Sequence, residues 1–127
     1  MHEILSGADG CSRHGPSGKP PLVVDVGAHI GWFSMLAASY GCRVLAFEPQ
    51  PHAHPFINAS IVLNGFQHRV RVLRAAVSDD TRERMKLVNR GGWGNWDISE
   101  LAPDSDPAEG IEVRPSLSRS LIPFGSQ

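Results

Sequence analysis

The stretch Leu22-Val-Val-Asp-Val-Gly-Ala-His-Ile-Gly-Trp32 decides the fold, because an apolar run ends there in two glycines and a helical pattern follows. The run before the glycines is mostly β-branched, which favours a parallel strand buried on both faces. Gly27 supplies the backbone freedom of a sharp turn, and Gly31 allows a close approach to the first helical turn. The sequence therefore predicts a strand, a tight turn and a helix whose N-terminus presents free N–H groups.

A second apolar run, Arg43-Val-Leu-Ala-Phe-Glu-Pro49, ends in an acid. Glu48 follows Gly27 by about 20 residues, the offset at which a carboxylate at the tip of a second strand accepts hydrogen bonds from ribose hydroxyls. Pro49 ends the strand at the sheet edge where open α/β sheets bind ligands. The two features together predict a nucleotide-type site.

The glycine spacing narrows the choice of nucleotide. Dinucleotide-binding turns read G-x-G-x-x-G, with a middle glycine where the pyrophosphate approaches the backbone, whereas His29 stands at that position here. Asp25-Val-Gly-Ala-His-Ile-Gly31 with Phe47-Glu-Pro49 resembles the cofactor turn and ribose acid of class I S-adenosylmethionine-dependent methyltransferases. With Asn64-Gly65 and Ala75-Ala-Val-Ser-Asp79 added, the chain looks like the FkbM type, in which several members methylate hydroxyl oxygens.

The resemblance implies S-adenosylmethionine as the cofactor and O-methyl transfer as the reaction. It implies cofactor contacts at Asp25, Gly27, Ala28, His29, Gly31 and Glu48, and near the end of the third strand at Ala76 and Ser78. The family usually carries Asn where this chain has His29. The methyl acceptor and a catalytic base are not assigned by any motif.

Two other functions stay open. A nicotinamide dinucleotide is the alternative cofactor, disfavoured by His29. The other alternative is a non-catalytic nucleotide-binding or interaction fragment, because the resemblance ends before the family's fourth strand and the Lys-x-Asp-x-Glu-Gly motif that follows it. We therefore expect a truncated, cofactor-binding half that does not turn over alone.

The remaining patterns complete an α/β fold. Helices are predicted from Ile30 to Ser39, with its aromatics in the core, and from His54 to Leu63, and a third strand from Val70 to Val77. The expected architecture is a Rossmann-like parallel sheet of order 3-2-1 with flanking helices, an incomplete class I methyltransferase fold. Residues 83–88 and 111–114 alternate polar and apolar side chains and predict an antiparallel, hairpin-like extension.

Composition limits the classes of partner. A net charge of −1 and a pI near 6.6 do not favour nucleic acid, and the arginines of the third strand suit a solvated edge strand better than a nucleic-acid stripe. No apolar run is long enough to span a membrane, so a cytoplasmic location is the default expectation, although a targeting segment could precede an incomplete N-terminus.

Cysteine and histidine spacing predicts no metal site. Cys11 and Cys42 form no disulfide framework by spacing, and Cys42 is interpreted as a small packed thiol. His52 and His54 are interpreted as part of a solvated loop. Trp93 and Trp96 lie on a glycine-rich loop and are expected to anchor it on the core rather than line a substrate groove.

The predicted domain organisation has two parts. Residues 1–21 are rich in Gly, Pro, Ser and charge and predict a flexible leader, followed by a partial methyltransferase domain at 22–127. In such a fold the first strand would be central, so its second edge would be open here and would favour self-association, unless residues 111–122 fold back over it.

Overall fold

A computed structural model of the chain describes residues 10–11, 15–78, 84–89, 99–105, 109–113 and 115–116. The chain divides into two compact units, residues 1–74 and residues 75–127. The first unit carries the glycine turn and Glu48, and the second carries Ala76 and Ser78.

The first unit is a parallel sheet with two helices. Its elements are β1 (Leu22–Val26), α1 (Trp32–Ser39), β2 (Arg43–Phe47), α2 (His54–Leu63) and β3 (Val70–Leu73). β2 pairs in parallel with both other strands, with Val24 beside Leu45 and Val44 beside Val70, so the predicted 3-2-1 order is confirmed.

Glycines in the left-handed region mark the ends of these elements. Gly31, with φ 88°, stands at the N-cap of α1, and Gly41, with φ 97°, follows its C-cap Tyr40. Gly65, with φ 69°, follows the C-cap of α2. Because glycine adopts positive φ without a Cβ penalty, helix ends fall where the sequence carries it.

The main core of the first unit lies between one sheet face and both helices. Its buried members are Cys11, Ala28, Ala37, Ala38, Cys42, Val44, Ala46, Ile57, Ile61 and Val70. Small side chains on α1 let the helix approach the sheet closely, and the isoleucines of α2 fill the remaining space.

The opposite sheet face is exposed at β1, which corrects the expectation of a strand buried on both faces. Val24 is 45% exposed and Val26 58% exposed, whereas Val23 packs against the core. Trp32 and Phe33 are also exposed, contrary to their predicted core position, because Ser34, Ala37 and Ala38 form the buried face of α1. An apolar run carries no information about which of its faces a second layer covers.

The predicted third strand is divided between the two units. β3 ends at Leu73, and β4 (Ala76–Val77) pairs in parallel with β8 (Pro115–Ser116) instead of continuing beside β2. The one-strand prediction for Val70 to Val77 is therefore wrong in its second half.

The second unit also contains the predicted antiparallel extension. β5 (Met85–Asn89) pairs with β7 (Gly110–Val113), as predicted, and also with β6 (Ser99–Pro103), which the sequence reading missed. Met85, Leu87 and Val113 form its small core together with Ala76. The loop of Trp93 and Trp96 lies outside the described residues.

Cys11 and Cys42 are joined by a disulfide, which corrects the interpretation of Cys42 as a packed thiol. The disulfide therefore holds Cys11, which belongs to the predicted leader, in place. The flexibility of the rest of the leader stays a prediction. Pro20 and Pro21 are also held, because their carbonyl oxygens accept hydrogen bonds from Arg43 Nε at 3.0 Å and Arg43 N at 2.9 Å. Among the described residues, no helix has the length and apolar character to cross a membrane.

Candidate functional site

The glycine turn is attached to the carboxyl end of β2 through one carbonyl group. Phe47 O accepts hydrogen bonds from Gly27 N at 2.8 Å and Ala28 N at 3.0 Å. The turn then tightens, because Gly31 N donates to Ala28 O at 2.7 Å. The predicted turn residues therefore meet the end of the second strand, as a site at this sheet edge requires.

Glu48 lies directly beside this turn and is only 2% exposed. Its Oε2 accepts a hydrogen bond from His29 N at 2.7 Å, and its Oε1 accepts one from Gln50 N at 2.8 Å. These charge-assisted bonds offset the cost of burying a carboxylate. Each oxygen accepts one of these bonds and keeps further acceptor capacity.

The backbone of Glu48 is held as firmly as its side chain. Its N–H donates to Leu73 O at 3.0 Å, and its carbonyl oxygen lies 2.7 Å from His54 Nε2. His54 is 9% exposed at the start of α2, so the interpretation of His54 as part of a solvated loop is wrong. The neighbouring strand and helix thus fix the acid in position.

Asp25 and Ser34 connect β1 to α1. Ser34 is fully buried and its hydroxyl donates to Asp25 Oδ2 at 2.6 Å. This bond holds the helix across the turn from the strand that precedes it. Asp25, a predicted cofactor contact, thus accepts a hydrogen bond from a partner that the sequence did not reveal.

Three features leave room and hydrogen-bonding capacity for a ligand. A Cβ atom at Gly27 would meet nothing within 4 Å, so the turn has open space beside it. Gln50 Oε1 is buried without a hydrogen-bond partner among the described residues. Gly31, at the N-cap of α1, has no side chain with which to bond the N–H groups of the first helical turn. These groups suit a ligand that offers hydrogen-bond donors to Gln50 Oε1 and an anionic group to the N-terminus of α1.

The predicted contact residues are divided between the two units. Asp25, Gly27, Ala28, His29, Gly31 and Glu48 lie within one connected set of hydrogen bonds and elements in the first unit. Ala76 is buried in β4, and Ser78 follows it, both in the second unit. In the described ranges no cluster of three or more His, Cys, Asp or Glu could hold a metal ion.

Sequence reasoning missed Ser34, Gln50 and His54. Ser34 and His54 occupy helix positions whose facing depends on packing, and Gln50 lies in a short Pro-containing connection with no motif of its own. The one signal available in the sequence was that Ser34 lies near Asp25, and Gln50 and His54 near Glu48. Proximity along the chain does not specify a contact.

An apolar groove of ≈ 230 Å³ lies apart from these residues. Its lining residues are Trp32, Met35, Leu36, Ser39, Asn64 and Phe66. No residue of the turn or of the Glu48 segment lines it.

A parallel β-α-β unit with a glycine turn and a carboxylate at the end of its second strand is the arrangement typical of nucleotide-binding α/β proteins. The family model of the methyltransferase FkbM domain matches residues 25–119, more than half of the chain. The chain therefore belongs to the FkbM methyltransferase family. Searches of curated proteins and of solved structures found no significant match.

Proposed function

We propose that this chain binds S-adenosylmethionine at the turn of residues 27–31 and takes part in methyl transfer to a hydroxyl oxygen, within a class I arrangement. The observation that carries the proposal is the 2.7 Å hydrogen bond that joins the Glu48 carboxylate to the backbone of His29 in the turn. This hydrogen bond holds the glycine turn beside the Glu48 carboxylate, the acceptor proposed for the ribose hydroxyls, at one edge of the sheet.

Each part of the cofactor has a complementary group in the first unit. Glu48 would accept hydrogen bonds from the ribose hydroxyls, and the first-turn N–H groups of α1 suit the carboxylate of the methionine moiety. Because Glu48 is 2% exposed, the turn must shift for hydroxyls to reach its carboxylate. Ala76 and Ser78 are proposed as further contacts by family resemblance alone.

The same geometry supports this cofactor over a dinucleotide. His29 has φ 51°, so the middle position of the turn combines left-handed backbone with a full imidazole side chain. A pyrophosphate would need glycine there, whereas a cofactor without phosphate does not.

The proposed reaction is a displacement at carbon. When bound, the cofactor would supply an electrophilic methyl group on a sulfonium, with a hydroxyl oxygen as the acceptor and the thioether sulfur as the leaving group. The hydroxyl proton passes to a base. The residues of this chain would bind and orient the methyl donor. This orientation lowers the entropic part of the activation barrier.

Isothermal titration calorimetry with S-adenosylmethionine and with S-adenosylhomocysteine tests the proposal. We expect Glu48→Ala to weaken binding roughly 100-fold or more, because two hydrogen bonds to a charged group are lost. Glu109→Ala is the matched control, since it removes a carboxylate from an exposed position of the second unit and should leave affinity unchanged.

Glu48→Gln separates affinity from folding. It keeps one acceptor oxygen and a similar volume, but its NH2 group would face one of the two backbone N–H donors, so we expect a folded variant of lower stability that binds with intermediate affinity. Circular dichroism of each variant checks the fold. Equal affinity of folded wild type and Glu48→Gln would contradict the ribose assignment, and competition by a nicotinamide dinucleotide at comparable affinity would contradict the choice of cofactor.

A further inference from the structure

The disulfide of the first unit lies in the protein interior. Cys11 and Cys42 are each 2% exposed, and their Cα atoms are 4.6 Å apart. Both belong to the core cluster, in which they pack with Ala37 and Ala38 of α1. The bridge is therefore part of the packing between α1 and the sheet.

Atoms of the neighbouring residues pack closely around the bridge. Ala37 O accepts a hydrogen bond from Cys42 N at 3.1 Å and lies 3.7 Å from Cys11 Sγ. A Cβ atom at Gly41 would lie 3.2 Å from Arg69 Nη1 and 3.9 Å from Cys11 O, at a φ of 97°. Cys11 thus lies against the C-terminal end of α1.

The bridge encloses the whole of the proposed cofactor turn. Its cysteines are 31 residues apart in sequence, and β1, the turn of residues 27–31 and α1 lie between them. A cross-link across such a segment removes conformations from the unfolded chain and so favours the folded form of that segment.

We propose that Cys11–Cys42 is a constitutive structural cross-link, formed in an oxidising compartment, on which the folding of the β1–turn–α1 segment depends. The two thiols lose two protons and two electrons as the S–S bond forms, and a disulfide oxidant, such as a thiol–disulfide oxidoreductase or glutathione disulfide, is reduced to two thiols. The inference does not rest on the proposed cofactor.

Burial distinguishes this role from that of a reversible redox switch. A reductant attacks a disulfide sulfur directly, so the sulfurs of two cysteines that are each 2% exposed react only after the core opens. Disulfides persist in secreted, periplasmic and lumenal proteins and are rare in the reducing cytosol. We therefore expect the protein in an oxidising compartment, in place of the cytoplasmic location expected by default.

Thiol titration and intact mass of the full chain test the proposal without any substitution. In protein produced under oxidising conditions, we expect no titratable thiol in denaturant before reduction and two after it. Dithiothreitol should reduce the bridge at least tenfold more slowly in the native protein than in guanidinium. Two free thiols in the oxidised preparation, or equal reduction rates, would overturn the proposal.

Thermal unfolding of variants tests the dependence of the fold on the bridge. Cys11→Ser, Cys42→Ser and the double variant should each unfold roughly 10 °C or more below the oxidised wild type. Reductant should lower the midpoint of the wild type and leave that of the double variant unchanged, which controls for nonspecific effects. A double variant as stable as the oxidised wild type would contradict the proposed role.

Discussion

The Glu48 carboxylate joins two loops that are far apart in sequence. His29 N and Gln50 N each donate to one of its oxygens, so the glycine turn and the segment after β2 share one charged acceptor. The sequence predicted that an acidic side chain, Glu48, stands at the end of the second strand, because its spacing from Gly27 can be read directly from the chain. It did not predict the burial or the amide partners, since these depend on how two loops meet.

The Ser34 hydroxyl is expected to contribute to stability through Asp25. Ser34→Ala removes the 2.6 Å hydrogen bond and leaves Asp25 Oδ2 without this donor, so we expect a loss of about 1–2 kcal/mol in the free energy of unfolding. Chemical denaturation followed by circular dichroism measures it.

Ser39→Ala is the control for this prediction. Its exposed hydroxyl donates to Leu36 O at 2.7 Å within the same helix, so its loss should change stability by less than about 0.5 kcal/mol. Equal effects of the two substitutions would show that the bond to Asp25 has no special role.

His29 is expected to prefer substitution by asparagine over valine. At φ 51° its backbone lies in the left-handed region, which asparagine adopts readily and β-branched residues do not. His29→Asn should keep or slightly raise stability, whereas His29→Val should cost about 1–2 kcal/mol. Thermal unfolding of the two variants decides this, and a valine variant as stable as the asparagine variant would contradict it.

For the secondary-structure elements, local sequence patterns predicted where the strands and helices lie but not which of their faces are exposed. The glycines after Tyr40 and Asn64 gave the helix ends, and the apolar runs gave the order of the parallel strands. The exposure of Val24 and Val26, and the division of the third strand, depend on a second layer and on long-range pairing. β6 was missed because its acidic, Pro-containing sequence resembles a loop.

The two glycines of the turn differ in their surroundings and should differ in tolerance. Both have positive φ, but a Cβ atom at Gly31 would lie 3.3 Å from Ile57 Cγ1, whereas one at Gly27 would meet nothing within 4 Å. Gly27→Ala should cost about 1–2 kcal/mol from backbone strain alone. Gly31→Ala should cost more, because the Ile57 side chain on α2 must also give way.

Differential scanning calorimetry of the two alanine variants measures this difference. If the midpoints of Gly27→Ala and Gly31→Ala coincide, the close approach of α1 to α2 does not limit the turn. Gly31→Ala should cost less in an Ile57→Ala background than in the wild type, since that background lacks the Cγ1 and Cγ2 atoms that the new methyl group would meet.

At the scale of the whole molecule, we propose that the chain self-associates through β1. Among the described strands, β1 pairs with β2 alone, and its Val24 and Val26 are exposed. Residues 110–113 pair with β5 and residues 115–116 pair with β4, so neither of these described segments has β1 as its strand partner. An apolar strand with a free edge favours pairing with another copy.

Size-exclusion chromatography with light scattering tests this self-association. We expect a concentration-dependent oligomer that Val24→Lys shifts toward monomer, because a lysine on this strand discourages edge pairing. Val62→Lys, at an exposed apolar position of α2, is the control and should leave the distribution unchanged. A monodisperse wild-type monomer at high concentration would exclude the interaction.

The Cys11–Cys42 bridge makes residues 11–42 a covalent ring. A protease that cuts the backbone once inside this ring releases no fragment: the two new ends stay attached and the mass rises by one water. The same cut after reduction yields two separate pieces. Limited digestion followed by mass spectrometry, with and without reductant, would therefore report whether the peptide that carries the glycine turn remains tied to the rest of the protein after its chain is broken.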